Sequence, residues 1–220
     1  MINSIIKKIK TLPAKFNDSE ILSDIFELGA LSLSNQCDFR EPFHSEREER
    51  YKQIKSKYES DFNKLVEIFG LICDLIIAQT EKRAKFNDWL GELYMQSLTQ
   101  SEKAGQFFTP YCVCRAMAEN VDIKTENKIL TMLEPAVGSG AIIISMVDAL
   151  QEKGINYTTS FFVECGDIDK RCVFMTYIQL SLLGVPAVVY HRDGLSLETW
   201  DCFHTPALCM QWLKFKDYVK

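Results

Sequence analysis

The chain has 220 residues, 47% of them apolar and 25% charged. That balance is close to the globular average and excludes a disordered or fibrous protein. The formal charge is −5. Residues 1–104 carry 15 basic and 17 acidic side chains and residues 105–220 carry 10 and 13. Neither part is a basic module able to hold a polyanion by charge alone. A polyanionic partner would have to be gripped by a local patch or by another protein. The eight cysteines form no pair of CxxC knuckles, so reduced thiols are expected and a metal site is not. Met1–Lys10 mixes lysine with isoleucine and has no cleavage-like site, so no signal peptide is expected. The most apolar stretch, Phe69 to Ala78, contains Asp74 and is about half a membrane span. A soluble, cytoplasmic protein without a membrane segment is the expectation.

Helical spacing from Ile21 to Leu33 predicts a first helix, with Asp18 or Ser19 as its N-cap. Pro42 marks a loop over Cys37 to Ser45. Tyr51, Ile54, Tyr58, Phe62, Leu65, Phe69, Ile72 and Ile76 then recur every three or four residues, which predicts one long helix. Its end, Val66 to Ala78, is apolar on most sides and should be packed inside other helices. Another helix is expected over Lys85–Leu98. Residues 1–104 therefore read as an all-helical region.

After Gly105 the pattern changes. Lys128 to Leu133, Thr159 to Val163 and Val185 to Tyr190 are strand-like, and Ala141–Leu150 and Arg171–Leu183 are helical. Alternation of this kind marks a parallel sheet, and right-handed crossovers place strand three beside two and two beside one. Residues 105–220 form the second, α/β region of the expected architecture.

The turn after the first strand reads Glu134-Pro135-Ala136-Val137-Gly138-Ser139-Gly140-Ala141. Two glycines at a strand end, before a helix, let the backbone approach a ligand and expose helix N–H groups. The same pattern also suits a tight turn needing left-handed residues. Asp167, at the end of the second strand, stands where a carboxylate can accept both hydroxyls of a ribose; Asp169 is the alternative cap of the next helix. Asp193 follows the third strand. Three acids, Glu134, Asp167 and Asp193, thus gather at the carboxyl ends of parallel strands, the edge where such sheets bind ligands. A nicotinamide-type site fits less well, because Ile143 fills the place of the third glycine of GxGxxG.

Four segments, in order, resemble the adenine-specific DNA methyltransferases, in particular the modification subunit of type I restriction systems. Gly105-Gln106-Phe107-Phe108-Thr109-Pro110 is similar to GQ[FY][FY]TP, Glu134 to Gly140 to [DE]PxxGSG, Gly166-Asp167-Ile168-Asp169 to the acidic second-strand motif, and Asp193-Gly194-Leu195 to the third-strand acid. The resemblance covers about residues 100–197. It implies a Rossmann-like methyltransferase fold with a partial parallel sheet, S-adenosylmethionine as cofactor, and methylation of the exocyclic amine of adenine in double-stranded DNA. The cofactor-binding residues it implies are Phe107, Thr109, Glu134, Pro135, Ala136, Gly138, Ser139, Gly140, Asp167, Ile168, Asp193 and Gly194. In that assignment Glu134 offsets the ammonium, Thr109 and nearby N–H groups take the carboxylate, Asp167 holds the ribose diol and Asp193 the adenine amine. Pro110 suits the first turn of a helix to about Asn120, capped by Thr109.

Family members carry a further motif, [DNS]PP[FYW], whose polar side chain and proline carbonyl accept the two hydrogens of the target amine while the aromatic stacks on the flipped base. No two prolines are adjacent in these 220 residues, and no catalytic residue is assigned. Phe203-His204-Thr205-Pro206 reads instead as a helix start, with Thr205 as cap and Leu208, Trp212 and Phe215 on one face. The family's fourth strand lies against the first, so strand one is expected to present an open edge covered by the C-terminal helix, the N-terminal helices or another subunit. A specificity subunit or a second methyltransferase polypeptide is the implied partner. The alternative is a non-catalytic module that binds the cofactor or a partner protein.

Overall fold

The computed structural model describes residues 1–13, 15–81, 85–98, 108–123 and 129–219. The boundary expected at 104/105 lies outside them. The helical region begins with α1 (Ile2–Ile9) and α2 (Asp18–Asn35). The cap of α2 is Asn17, one residue before the expected pair, and its side chain accepts from Glu20 N at 2.7 Å. Buried Ile21, Leu22, Ile25, Phe26 and Leu28 put α2 in the middle of the core. Two acids on it, Asp24 and Glu27, are also buried and are therefore paired: Asp24 with Lys57 and the Tyr58 hydroxyl, Glu27 with Arg50.

The single long helix expected from Tyr51 to Ile76 is two. α3 (Phe43–Tyr58) and α4 (Phe62–Ile77) are separated by a 3₁₀ turn at Glu59–Asp61. Glu59 adopts φ +47°, which no α-helix accommodates. The apolar stripe continues across the break because both helices face the same core. On α4, Leu65, Ile68, Ile72, Leu75 and Ile76 are buried, whereas Val66 and Ile77 are exposed, so α4 is not enclosed on most sides. Gly29 admits the Phe69 ring to α2; a Cβ there would lie 2.1 Å from it. α5 (Trp89–Ser97) is capped by Asp88, whose carboxylate accepts from Gly91 N at 3.0 Å. α6 (Tyr111–Glu119) follows, with Pro110 at the cap position and no side-chain cap, so Thr109 lies one residue outside it.

The sheet has the order β1 (Leu130–Glu134), β2 (Phe161–Asp167), β3 (Ala187–Arg192), β4 (Thr199–His204). β1, β2 and β3 are parallel and adjacent, in register Leu130↔Phe161 and Val163↔Ala187, as the crossover rule requires. The crossovers are α7 (Ala141–Glu152) and α8 (Lys170–Leu182). Thr159 and Ser160 belong to a short helical turn, Tyr157–Ser160, rather than to β2. β4 runs antiparallel to β3, a strand the sequence pattern did not announce.

Alternation along the strands builds two layers of packing. Val163, Cys165, Ala187, Val189 and Phe203 face one core, shared with α7, α8 and the helical region. Phe162, Val188 and Tyr190 face the other way, onto Leu208 and Phe215 of α9 (Pro206–Met210) and α10 (Trp212–Phe215). Leu208 and Phe215 share a face as expected, but Trp212 stacks on His204 and is 41% exposed. Thr205 stands at the cap position of α9, yet its hydroxyl bonds to the backbone of Val185 and Ala187 instead of to the helix.

Among the described residues, no strand pairs with the outer edge of β1, and Leu133 on it is 64% exposed. Of the three covers expected for that edge, the C-terminal helices lie on a face of the sheet instead, because the apolar side chains of α9 and α10 match Phe162, Val188 and Tyr190. Among the described residues no helix is long and apolar enough to cross a membrane.

Candidate cofactor site at the strand ends

β1 ends at Glu134 and the chain turns through Pro135–Gly140 into α7. Gly138 has φ +58° and Gly140, the cap of α7, φ +101°. The second value is outside what a side chain tolerates, so glycine is required there for the turn itself. At Gly138 a Cβ would also stand 3.3 Å from the Phe108 ring. The backbone of the turn is held from several directions. Val137 N donates to Gly166 O at 3.0 Å and Gly140 N to Val137 O at 3.1 Å. Gly138 N donates to Asp167 Oδ2 at 2.8 Å, Thr176 Oγ1 to Gly138 O at 3.0 Å, and Gln179 Nε2 to Ser139 O at 2.8 Å.

A cavity of about 210 Å³ opens in front of this turn. Its walls include Phe108, Thr109, Glu134, Ala136, Gly138 and Ser139, with Cys114 and Met117 from α6. Glu134 Oε1 accepts from Ala136 N at 3.0 Å; among the described residues Oε2 has no hydrogen-bond partner. Asp167 Oδ1 accepts from Asp169 N at 2.9 Å and Oδ2 from Gly138 N, which among the described residues leaves one lone pair on each oxygen for an incoming hydroxyl. Asp169 caps α8 through Arg171 N.

The structure thus brings together Thr109, Glu134, Ala136, Gly138, Ser139 and, through Gly138, Asp167. Phe107, with Gly105 and Gln106, lies outside the described residues. Phe108 packs partly buried on the core, its ring 6.1 Å from that of Tyr94. Gly194 approaches the turn closely, since a Cβ on it would sit 3.0 Å from Pro135 O. Asp193 does not line the cavity. Its Oδ1 accepts from Leu195 N at 2.8 Å and Ser196 N, and these N–H groups hold its carboxyl below the ordinary range. Ile168 is 62% exposed at the end of β2; its carbonyl lies 3.3 Å from His191 Nε2, and the His191 ring packs on Trp200.

Three residues around the turn stand outside the cofactor-binding set expected from the sequence: Asp88, Thr176 and Gln179. Asp88 and Gln179 are buried side chains bonded to Ser139 from 51 and 40 residues away. Burial pushes the Asp88 carboxyl up, against the hydrogen bonds from Ser139, Gln179 and Gly91. Only the N-cap pattern Asp88-Trp89-Leu90-Gly91 was legible as a local signal.

A mostly parallel sheet with a glycine turn and acids at its carboxyl ends, covered by helices, is a Rossmann-like arrangement, and that edge is where such sheets receive ligands. Residues 85–202, more than half of the chain, match the model of the N-6 DNA methylases, and the chain belongs to that family. It is 23% identical over 146 residues to the methylase subunit of the type I restriction enzyme EcoEI from Escherichia coli, a match covering 62% of this chain and 29% of that subunit. The chain therefore spans about three-tenths of the length of that relative. Among solved structures, one described as a class I S-adenosylmethionine-dependent methyltransferase from Listeria monocytogenes is 14% identical, with 88% of this chain and 54% of that chain covered and a TM-score of 0.42. A DrdV–DNA complex is 15% identical, with 83% and 20% covered and a TM-score of 0.34.

Proposed function

We propose that this chain binds S-adenosylmethionine at the carboxyl ends of β1 and β2 and is the methyl-donor-binding part of a DNA adenine methyltransferase of the restriction-modification type. The observation that carries the reading is the left-handed glycine turn bonded to Asp167, beside a Glu134 whose second carboxylate oxygen has no hydrogen-bond partner among the described residues. The residues suit the cofactor from one end to the other except at the adenine. Glu134 would offset the ammonium, Thr109 and backbone N–H groups would hold the carboxylate, and Asp167 would accept from the ribose diol. Asp193, tied into its own turn, would have to swing out to meet the adenine amine, or leave that contact to Ile168 and its neighbours. When bound, the cofactor supplies an electrophilic methyl group on its sulfonium.

The target amine would need acceptors for its two hydrogens and an aromatic to hold the flipped base, the work of [DNS]PP[FYW]. These 220 residues contain no such segment, so transfer would require it from another polypeptide or another part of a longer one. A double-stranded DNA substrate, a specificity subunit and a cytoplasmic location are part of the same reading. So is the division into a helical region, 1–104, and a cofactor-binding region, 105–220.

Calorimetric titration with S-adenosylmethionine tests the binding half of the reading. Saturable binding that falls by about tenfold or more in Asp167→Ala is expected, a loss of roughly 1.4 kcal/mol or more. A folded protein that takes up no cofactor overturns it. Transfer of tritiated methyl groups to unmethylated duplex DNA separates the two further readings. Incorporation into adenine only with a polypeptide carrying [DNS]PP[FYW] supports the enzyme. Cofactor binding with no transfer in any such mixture supports the non-catalytic module.

A further inference from the structure

We infer that Asp88 and Gln179 are positioning residues that lock the glycine turn in its ligand-receiving form, and that the Ser139 hydroxyl belongs to this lock rather than to the ligand. The inference rests on the cofactor reading above. Asp88 precedes α5 and is buried, at 6% exposure. Its Oδ2 accepts from the Ser139 hydroxyl, and its Oδ1 from Gln179 Nε2 at 2.8 Å and Gly91 N at 3.0 Å. Gln179, fully buried on α8, spends its amide nitrogen on both Asp88 and Ser139 O, and its Oε1 accepts from Leu90 N at 3.3 Å.

A helix cap needs none of this. A capping aspartate is ordinarily solvated, and burying a carboxylate costs several kcal/mol unless it is saturated with donors. Here the donors besides the capping amide of Gly91 are side chains of the glycine turn and of the crossover helix. All three peptide planes from Val137 to Gly140 are held by hydrogen bonds, and Gln179 completes the set at the third. The first is held by Asp167 and by Gly140 N, the second by Thr176, and the third by Gln179 and Val137 O. Ser139 is itself 1% exposed, and its hydroxyl points at Asp88. Gly91 makes room for the contact: a Cβ there would lie 2.1 Å from Asp88 Oδ2 and 2.6 Å from Ser139 Oγ. The lock also reaches the other wall of the cavity, since Tyr94 on α5 packs on Phe108. A turn held in this way meets its ligand without an ordering cost at the moment of binding.

The test combines cofactor titration with amide hydrogen exchange of residues 136–141, measured without ligand, on Asp88→Asn, Ser139→Ala and the double variant. Each single variant is expected to weaken S-adenosylmethionine by about tenfold, and the double variant to be no worse than either single one within about twofold, the signature of one coupled unit. Exchange in the turn should speed up by about tenfold while the helices keep their protection. Folded variants that bind within twofold of the parent, with unchanged exchange, overturn the inference. So does a loss in Ser139→Ala that Asp88→Asn does not share, because it would place the hydroxyl on the ligand. Should Asp88→Asn fail to fold, Gln179→Ala takes its place in the cycle. If the unaltered protein takes up no cofactor, the binding reading fails by itself, and the exchange rates alone decide whether Asp88 and Gln179 order the turn.

Discussion

Arg47 and Asp201 meet across 154 residues of chain, Nη2 donating to Oδ1 at 2.7 Å, and so tie α3 of the helical region to β4 at the edge of the sheet. Arg47 is 3% exposed on its side chain and also donates to Ser34 Oγ, Asp38 Oδ2 and Cys202 O, with its guanidinium 4.1 Å above the Phe203 ring. One residue thus serves two acids and a strand carbonyl. Arg40 also donates to Asp38 and to Cys202 O, and Cys202 N to Asp201, so removing Arg47 weakens the compensation of these buried groups without abolishing it.

Replacing Arg47 by leucine is therefore expected to destabilise the fold by about 2–3 kcal/mol, less than the roughly 3–5 kcal/mol of a buried pair left wholly uncompensated, because Arg40 still pairs with Asp38. Lysine should recover only part of this, because a single ammonium cannot serve the four acceptors that the planar fork reaches. Urea unfolding of the two variants measures both. A loss under about 1 kcal/mol in Arg47→Leu would mean that the network contributes nothing net.

Thr205 stitches β3 to the end of β4: its hydroxyl accepts from Ala187 N at 2.9 Å and donates to Val185 O at 2.7 Å. Thr205→Val keeps the shape and strands two buried backbone groups, so a loss of about 2–3 kcal/mol is expected, while Thr205→Ser should stay within about 1 kcal/mol of the parent. Denaturant midpoints at constant m-value provide the comparison.

His204 carries the acid sensitivity of the same corner. Burial and the nearby Arg40 and Arg47 push its pKa down to about 4, with Asp38 opposing them. The folded state then binds fewer protons than the unfolded state, whose histidine titrates near 6.5. Stability from this group is complete above about pH 6.5, is lost as the pH falls toward about 4, and levels off below that, a change of up to about 3 kcal/mol. Unfolding free energies of the parent and His204→Asn between pH 7 and 4 should diverge in slope over that window. Parallel curves would show that His204 does not titrate differently in the two states.

Gly91 lies inside α5, where alanine ordinarily stabilises by about 1 kcal/mol. Here the added methyl meets Asp88 and Ser139, so Gly91→Ala is expected to destabilise and to weaken cofactor uptake. A rise in melting temperature would show that the contact relaxes freely.

Gly140→Ala forces a side chain into φ +101°, at a cost of about 1–3 kcal/mol, with Thr176 Oγ1 3.2 Å from the new methyl. Gly154→Ala, also at positive φ but with open space around it, serves as the control, because it should destabilise the fold without altering cofactor affinity. Thermal melts and titrations on the pair separate strain from ligand binding.

Much of this molecule follows from local signals. The strand–helix alternation after Gly105, the order β1, β2, β3, and the glycine turn with Glu134 and Asp167 beside it rest on periodicity and short spacings, which a linear reading contains. Other features have their causes far away in the chain. The helix break at Glu59 interrupts an apolar stripe that continues unbroken, because the stripe reports the core and not the backbone. β4 was hidden because Trp200, Asp201 and Cys202 look like a polar loop until β3 supplies a ladder for them. Asp193, chosen for its place after β3, turns its carboxylate to the nearest backbone N–H groups, Leu195 and Ser196, a competition that position alone does not reveal. Asp88 falls inside the helix expected from Lys85, and only folding brings Ser139 and Gln179 onto it. The sequence by itself determined the glycine turn and the acids at the strand ends, since these rest on residue types at short spacings. Tertiary structure alone decided what holds the approach in place, because a buried polar group selects its partners by proximity in space and not along the chain.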